Sequence, residues 1–356
     1  MSTEPKPKVC LIGTSNGVFE QGYVSAFRNS DAIASFSKNC LGYSSSAIFS
    51  QRAEMVDLAT FDICVLDFAP NDAVALAGGA TPPALVHSVV SDAVRRVLEK
   101  GCFPAIYMMP IRSQMRSQGK VICDIYKDIA QEFNLPLFDG YRYVEALLAQ
   151  GFPAEDLYID DMHLKFPVAI QLAEAFIGPL IEAWRRRAPQ AEKAGRDYTY
   201  RYLGVPSFGL NADQWHPRKT WIFETNTVTV TDGMALTIKA AGDGEITAIG
   251  VDWANSSGSA TFSSTTSARK KLSSQYSTEP STELKKMIFG IANVHPPVKL
   301  KDGQLTLNLQ EDEKWTGRLE LGAIVVRHMA DYAVRPLLPE PVILESFTLP
   351  PSAMPA

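Results

Sequence analysis

The sequence predicts an α/β domain built on a parallel sheet, followed by an antiparallel β-sandwich. Three observations carry that expectation. Residues 8–187 alternate between apolar strand-like runs and segments with helical spacing, the pattern of βαβ units with right-handed crossovers. After Arg187 helical periodicity fades, and short alternating runs take over with Asp-Gly pairs between several of them. At 356 residues the chain is long for a single core and suited to two domains.

The first strand covers 9–12 and runs into Gly13-Thr14-Ser15-Asn16-Gly17. A helical pattern (Val18, Tyr23, Val24, Phe27) then continues to about Arg28. Residues 33–36 form a second strand, ending at Asn39-Cys40-Leu41-Gly42, and 47–58 a helix. The run 61–68 is a buried strand that stops at Ala69-Pro70-Asn71-Asp72, and 78–83 is a loop. Apolar positions at helical spacing (Val86, Val89, Val90, Val94, Val97) mark a helix over 85–100, stopped by Gly101. Residues 103–109 are a fourth strand, 121–133 a helix, 135–138 a fifth strand and 166–187 a final helix.

Residues 188–195 read as a connector. Beyond it, 220–223, 227–230, 236–238, 246–249, 304–307 and 319–326 are short strands, with turns at Asp232-Gly233, Asp243-Gly244 and Asp302-Gly303. Such a series indicates a sandwich or jelly roll. The Ser/Thr-rich stretch 256–267 is expected to be a long loop with one strand at most. The resulting division is 1–187, connector 188–195, β-domain 196–330 and a Pro-rich tail 331–356, which either packs over another surface or stays mobile.

Hydrophobic content of 46% and charged content of 21% are ordinary for a globular chain. A net charge of −5 offers no basic footprint for nucleic acid. The Arg185-Arg186-Arg187 cluster ends a helix, where cations complement the dipole. No segment is read as approaching the roughly 18 apolar residues of a membrane span. The first eight residues contain no secretory h-region. Five cysteines, an odd number without metal-ligand spacing, behave as small hydrophobes where Cys10, Cys40 and Cys64 fall in apolar runs. A reduced, cytoplasmic protein is expected, the alternative being a mature form without its signal.

Ligands of open α/β sheets bind outside the carboxyl ends of the strands. Three points fall there: Ser15, Asn71, and the pair Asp160 and His163. Ser15 lies by a helix N-terminus, whose N–H groups suit a developing anion. The plain alternative is that Ser15 or Asn16 caps that helix. Asp160 and His163 are three residues apart, so a carboxylate can orient the imidazole within one turn. Asp161 is the rival acid. A boundary histidine after a capping Asp-Asp is the alternative there.

In this order along the chain, four blocks resemble those of the SGNH hydrolases, also called GDSL-type esterases. Gly13-Thr14-Ser15-Asn16 stands at the Gly-Asp-Ser block, and Asn39-Cys40-Leu41-Gly42-Tyr43-Ser44-Ser45 at the second, glycine-containing block. Ala69-Pro70-Asn71-Asp72 matches Gly-x-Asn-Asp, and Asp160 with His163 matches Asp-x-x-His. The resemblance covers about half of the chain. It implies a flavodoxin-like three-layer α/β/α domain with a five-stranded parallel sheet. It also implies Ser15 as nucleophile, His163 as base and Asp160 as its orienter. Asn71 would complete an oxyanion hole with the Ser15 N–H and an N–H of the second block, from Gly42 or from Ser45. Thr14 and Ala69 depart from the family pattern, and Ala69 requires a φ below zero.

Other residues have weaker readings. Asp67, Asp72 and Asp139 near strand ends would suit a metal-bearing phosphatase-like site, but no histidines cluster with them in sequence. His216 is a metal ligand or a surface loop residue. Arg112 and Arg116 reach an anionic substrate or lie on a solvated loop. Trp221, Trp253 and Trp315, with Trp215 ahead of them, bind sugar or fill the sandwich core.

Three functions stay open. The first is a serine ester hydrolase, without metal or organic cofactor, removing acetyl or another short acyl group from a carbohydrate. The second is an O-acyltransferase to a sugar hydroxyl through the same acyl-serine. The third is a non-catalytic glycan-binding or assembly module on a hydrolase scaffold. The expected partner is a glycan or small-molecule ester, with no nucleic acid and no membrane span, and the sequence sets no oligomeric state.

Overall fold

The computed structural model describes residues 5–79, 81–115, 118–187, 193–219, 223–272, 287–311, 317–334 and 341–344. Strands β1 (Lys8–Gly13), β2 (Ser35–Cys40), β3 (Ile63–Asp67), β4 (Phe103–Met108) and β5 (Pro136–Asp139) pair in parallel in the order 5-4-3-1-2. Side chains alternate between the faces of a strand. Cys10 and Ile12 of β1 therefore enter one core, and Val9 and Leu11 the other. Cys64 and Leu66 of β3 divide from Ile63 and Val65 in the same way.

Helices cover both faces: α1 (Val24–Asn29), α2 (Phe49–Met55), α3 (Ala69–Ala77), α4 (Pro83–Glu99), α5 (Gln118–Phe133), α6 (Gly140–Ala149), α7 (Ala154–Leu157) and α8 (Phe166–Arg185). The first helix starts later than its periodicity predicts, because the chain after β1 first makes a 3-10 turn over Ser15–Gly17. Strand β2 is displaced toward its carboxyl end from the expected 33–36. It lies at the sheet edge and is buried fully only at Cys40, so it offers no apolar run to read. Helices α3, α6 and α7 occupy stretches that the sequence reading left without an element. The side chain of Asp139 caps α6 by accepting from the N–H groups of Tyr141 and Arg142.

Helix α8 corrects another expectation. Its 20 residues are long and apolar enough, by composition alone, to cross a membrane. That apolarity is spent on the sheet, where Val168, Leu172, Phe176 and Leu180 are buried in the second core.

The β-domain contains β6 (Lys193–Gly204), β7 (His216–Lys219), β8 (Glu224–Val230), β9 (Met234–Thr237), β10 (Glu245–Asp252), β11 (Ser259–Ser263), β12 (Ser267–Lys271), β13 (Phe289–Lys299), β14 (Gln304–Gln310) and β15 (Leu319–Val334). One sheet runs β13-β10-β15-β8-β7, with β6 also pairing β15, and the other runs β12-β11-β14-β9. A separate apolar core lies between them, including Phe208, Val251, Phe262, Leu307 and Ile324. Asp302 and Gly303, both at positive φ, close a tight turn between Lys301 and Gln304.

Several expectations change here. The stretch 256–267 carries all of β11 and the start of β12, and β6 already begins at Lys193, inside the expected connector. Trp215 and Trp253 are partly buried against the sandwich core, which favours packing over an open sugar platform. Trp221, Trp315 and residues 188–192 lie outside the described residues. Of the expected tail 331–356, residues 331–334 are the end of β15, and 341–344 carry β16 (Val342–Leu344), which pairs with β5 in parallel. The expected five-stranded sheet therefore has six strands.

The two parts share a core. Tyr200, Phe223, Ala248, Phe289, Ile291 and Val325 of the β-domain belong to the same apolar cluster as Cys10, Ile12 and Leu66. Polar contacts reinforce that face. Arg95 of α4, 3% exposed, donates to Asp197 Oδ2 at 2.9 Å and to the Tyr198 carbonyl at 2.9 Å. Its guanidinium also lies 4.6 Å from the centroid of Tyr332.

Candidate active site

The turn after β1 sets the position of Ser15. Gly17 sits where any Cβ would lie 2.4 Å from Cys40 Sγ, so only glycine lets the turn press against the end of β2. Ser15 and Asn16 make no capping bond in this turn, which overturns the capping alternative. Instead Ser15 Oγ lies 3.2 Å from His163 Nε2. Asn16 Nδ2 donates to the Met162 carbonyl at 3.4 Å and ties this turn to the histidine loop. Thr14, which stands where the resembled family has aspartate, is fully buried, and among the described residues its hydroxyl has no hydrogen-bond partner.

His163 is held from its other nitrogen. Nδ1 lies 3.0 and 2.9 Å from the two oxygens of Asp160. Asp160 Oδ1 also accepts from the N–H groups of Met162, at 2.7 Å, and of His163, at 2.9 Å. Burial acts to raise this carboxyl, but the His163 hydrogen bond and the backbone donors outweigh it and hold its pKa below the usual aspartate value. Phe19 meets the imidazole edge-on, with ring centroids 5.2 Å apart. Asp161 does not share the imidazole contact, and its carbonyl accepts from the Arg112 N–H. Both the pair and this loop lie between α7 and α8.

Asn71 lies in the first turn of α3, and Ala69 just before it is helical, so it meets the requirement for a φ below zero. The Asn71 amide donates to the Ser44 carbonyl at 2.8 Å. An amide nitrogen has two hydrogens, which leaves a second donor. Asp72, the next residue, is fully buried. It accepts from the Ser46 N–H at 2.8 Å and from Tyr126 Oη at 2.8 Å, and burial pushes its pKa up to about 6.

The two second-block positions differ. A Cβ on Gly42 would lie 3.6 Å from Ser15 Cβ, which places this residue against the serine. Among the described residues its N–H, like that of Ser15, has no acceptor. The Ser45 N–H is already donated to the Ile291 carbonyl at 3.2 Å, and the residue is buried. Of the two positions, Gly42 therefore has the available donor.

The remaining carboxylates have internal partners. Asp67 accepts from Tyr23 Oη at 2.7 Å, and Asp139 pairs with Lys127 and caps α6. Among the described residues no three His, Cys, Asp or Glu side chains gather where they would hold a metal. His216 is exposed at the start of β7, and Arg112 is exposed beside the histidine loop. Arg116 lies outside the described residues. Residues to which the sequence reading gave no role adjoin the candidate ones. Tyr43 is 51% exposed and held at φ 55°, an uncommon conformation for a non-glycine residue, and Ile159 is 56% exposed beside Asp160. Ile291 and Asn293 arrive from β13, which no apolar alternation announced.

No protein-family model and no curated protein matches the chain. Among solved structures, a two-domain esterase active on acetylated mannans aligns over 89% of this chain and 90% of its own, at 12% identity and a TM-score of 0.57. A two-domain esterase of the same description, co-crystallised with mannopentaose, aligns over 89% of each chain at 14% identity and 0.55. The chain has the two-domain fold of these two structures. The alignment spans about nine-tenths of each chain, so the shared fold includes the β-domain as well as the parallel sheet.

Proposed function

We propose that the protein is a serine ester hydrolase that removes acetyl or another short acyl group from a carbohydrate. The observation that carries the proposal is the continuous chain of contacts from Ser15 Oγ through His163 to Asp160. Ser15 attacks the ester carbonyl while His163 Nε2 takes its proton. Asp160 fixes the tautomer from Nδ1 and stabilises the imidazolium. The negative charge on the carbonyl oxygen meets the second Asn71 N–H and the N–H groups of Gly42 and Ser15. His163 then protonates the leaving alcohol, and a water it activates cleaves the acyl-serine. This chemistry calls for no metal or organic cofactor. Two features support a carbohydrate ester: the mannan-active esterases that share the fold, and the exposed ring of Phe19 against His163.

Intact-mass measurement after exposure to a fluorophosphonate tests the proposal. Wild type should gain one adduct, and Ser15→Ala should gain none. Ser15→Ala should also lose p-nitrophenyl acetate cleavage by a factor on the order of 10⁴ or more. Acetate release from an acetylated mannan should follow the same pattern. Full activity in folded Ser15→Ala would move the nucleophile to another residue, and a folded wild type that takes no adduct and cleaves no ester would leave the binding-module alternative as the better account.

A further inference from the structure

We infer that the β-domain completes the active site: β13 clasps loop 42–46, and Asn293 is the positioning residue of that clasp. The role of the loop rests on the ester-hydrolase reading. The way it is held rests on hydrogen bonds alone.

Strand β13 is an edge strand of its sheet, so one side has backbone groups to offer. Ile291 uses both on the second block. Its N–H donates to Ser44 Oγ at 3.1 Å, and its carbonyl accepts from the Ser45 N–H at 3.2 Å. Two residues on, Asn293 Oδ1 accepts from Ser45 Oγ at 3.0 Å, while its amide donates to Thr81 Oγ1 at 2.8 Å. All four side chains are 5% exposed or less. Gly290 makes the approach possible, since a Cβ there would lie 2.4 Å from the Tyr43 carbonyl.

The same short loop is gripped from the opposite side by α3. Asn71 donates to the Ser44 carbonyl, and the Ser46 N–H reaches Asp72. Ser44 therefore joins the candidate oxyanion donor Asn71 to a strand of the other domain. Displacing Ser45 from Asn293 would shift the carbonyl that aims Asn71 and the turn that presents the Gly42 N–H. The separate zipper between α4 and β6 already joins the domains, so this clasp is not needed to hold them together. Its distinct consequence is the geometry of the loop.

The experiment combines kinetics with hydrogen–deuterium exchange on the full chain. Asn293→Ala should lower kcat for p-nitrophenyl acetate about tenfold or more while KM stays within about twofold. Exchange over 42–46 should accelerate. In an Asn71→Ala background the same substitution should cost less than about twofold, because residues acting through one group are not additive. Ser45→Ala removes only the side-chain bond to Asn293 and should move kcat and exchange in the same direction. It keeps the test available if Asn293→Ala does not fold. Unchanged kcat with unchanged exchange in a folded variant overturns the inference, as does an undiminished tenfold loss in the Asn71→Ala background. Exchange needs no substrate, so the clasp stands or falls on it even if Ser15→Ala shows that the hydrolase reading is wrong.

Discussion

Asp160 gathers three donors on one half-exposed carboxylate: the His163 imidazole and two backbone N–H groups. Among the described residues Asp161, next in the chain, has none of these contacts, and its carbonyl accepts from the Arg112 N–H. The two carboxylates therefore predict opposite results. Asp160→Asn should reduce kcat by about 10²-fold or more, because an amide facing Nδ1 favours the wrong tautomer. Asp161→Asn should leave kcat within about twofold. Steady-state kinetics on the two variants check the assignment, and reversed results would move the acid role to Asp161. The spacing of Asp160 and His163 was legible because three residues is a local distance that one turn can close. The choice between Gly42 and Ser45 was not, since it depends on where Ile291 lies.

Asp67 links elements that the sequence separates. It ends β3, and its carboxylate accepts from Tyr23 just before α1. Full burial pushes its pKa from 3.8 up to about 7, against the pull of the Tyr23 hydrogen bond. A raised carboxyl pKa means that the folded state binds the proton more tightly than the unfolded one. Stability from this group is therefore lost as pH rises between about 4 and 7. Asp67→Asn keeps an acceptor for Tyr23 and removes the titration. Relative to wild type it should gain stability from about pH 5 to about pH 8, by about 3 kcal/mol. Urea denaturation at the two pH values checks this, and a difference independent of pH would assign the titration elsewhere. Legibility varied among elements for a related reason. Buried strands such as β1 and β3 announce themselves as apolar runs, whereas β2 and β12 lie at sheet edges and show none.

At the scale of the whole molecule, the two domains share one core and a buried ion pair. Arg95 is almost fully enclosed, and its partner Asp197 is about one-third exposed. Arg95→Ala removes the pair, the bond to the Tyr198 carbonyl and the stacking on Tyr332. The expected cost is about 3 kcal/mol, at the low end for a broken buried pair because Asp197 regains water. Differential scanning calorimetry should show one transition for wild type, and for Arg95→Ala an earlier transition that splits in two. A variant melting like wild type would mean that the apolar core alone couples the domains.

By itself the sequence determined the alternation of strands and helices, the change to β structure after Arg187, and the four short blocks that carry the candidate chemistry. Each of these is written in neighbouring residues: a period of two or 3.6, a turn residue, or a carboxylate one helical turn from a histidine. Tertiary structure alone decided which second-block N–H stays available, that β16 returns to extend the parallel sheet, and that Asn293 stands behind the site. The Ser45–Asn293 contact joins residues 248 positions apart. A contact of that kind leaves no local pattern, because its geometry exists only once both domains have packed.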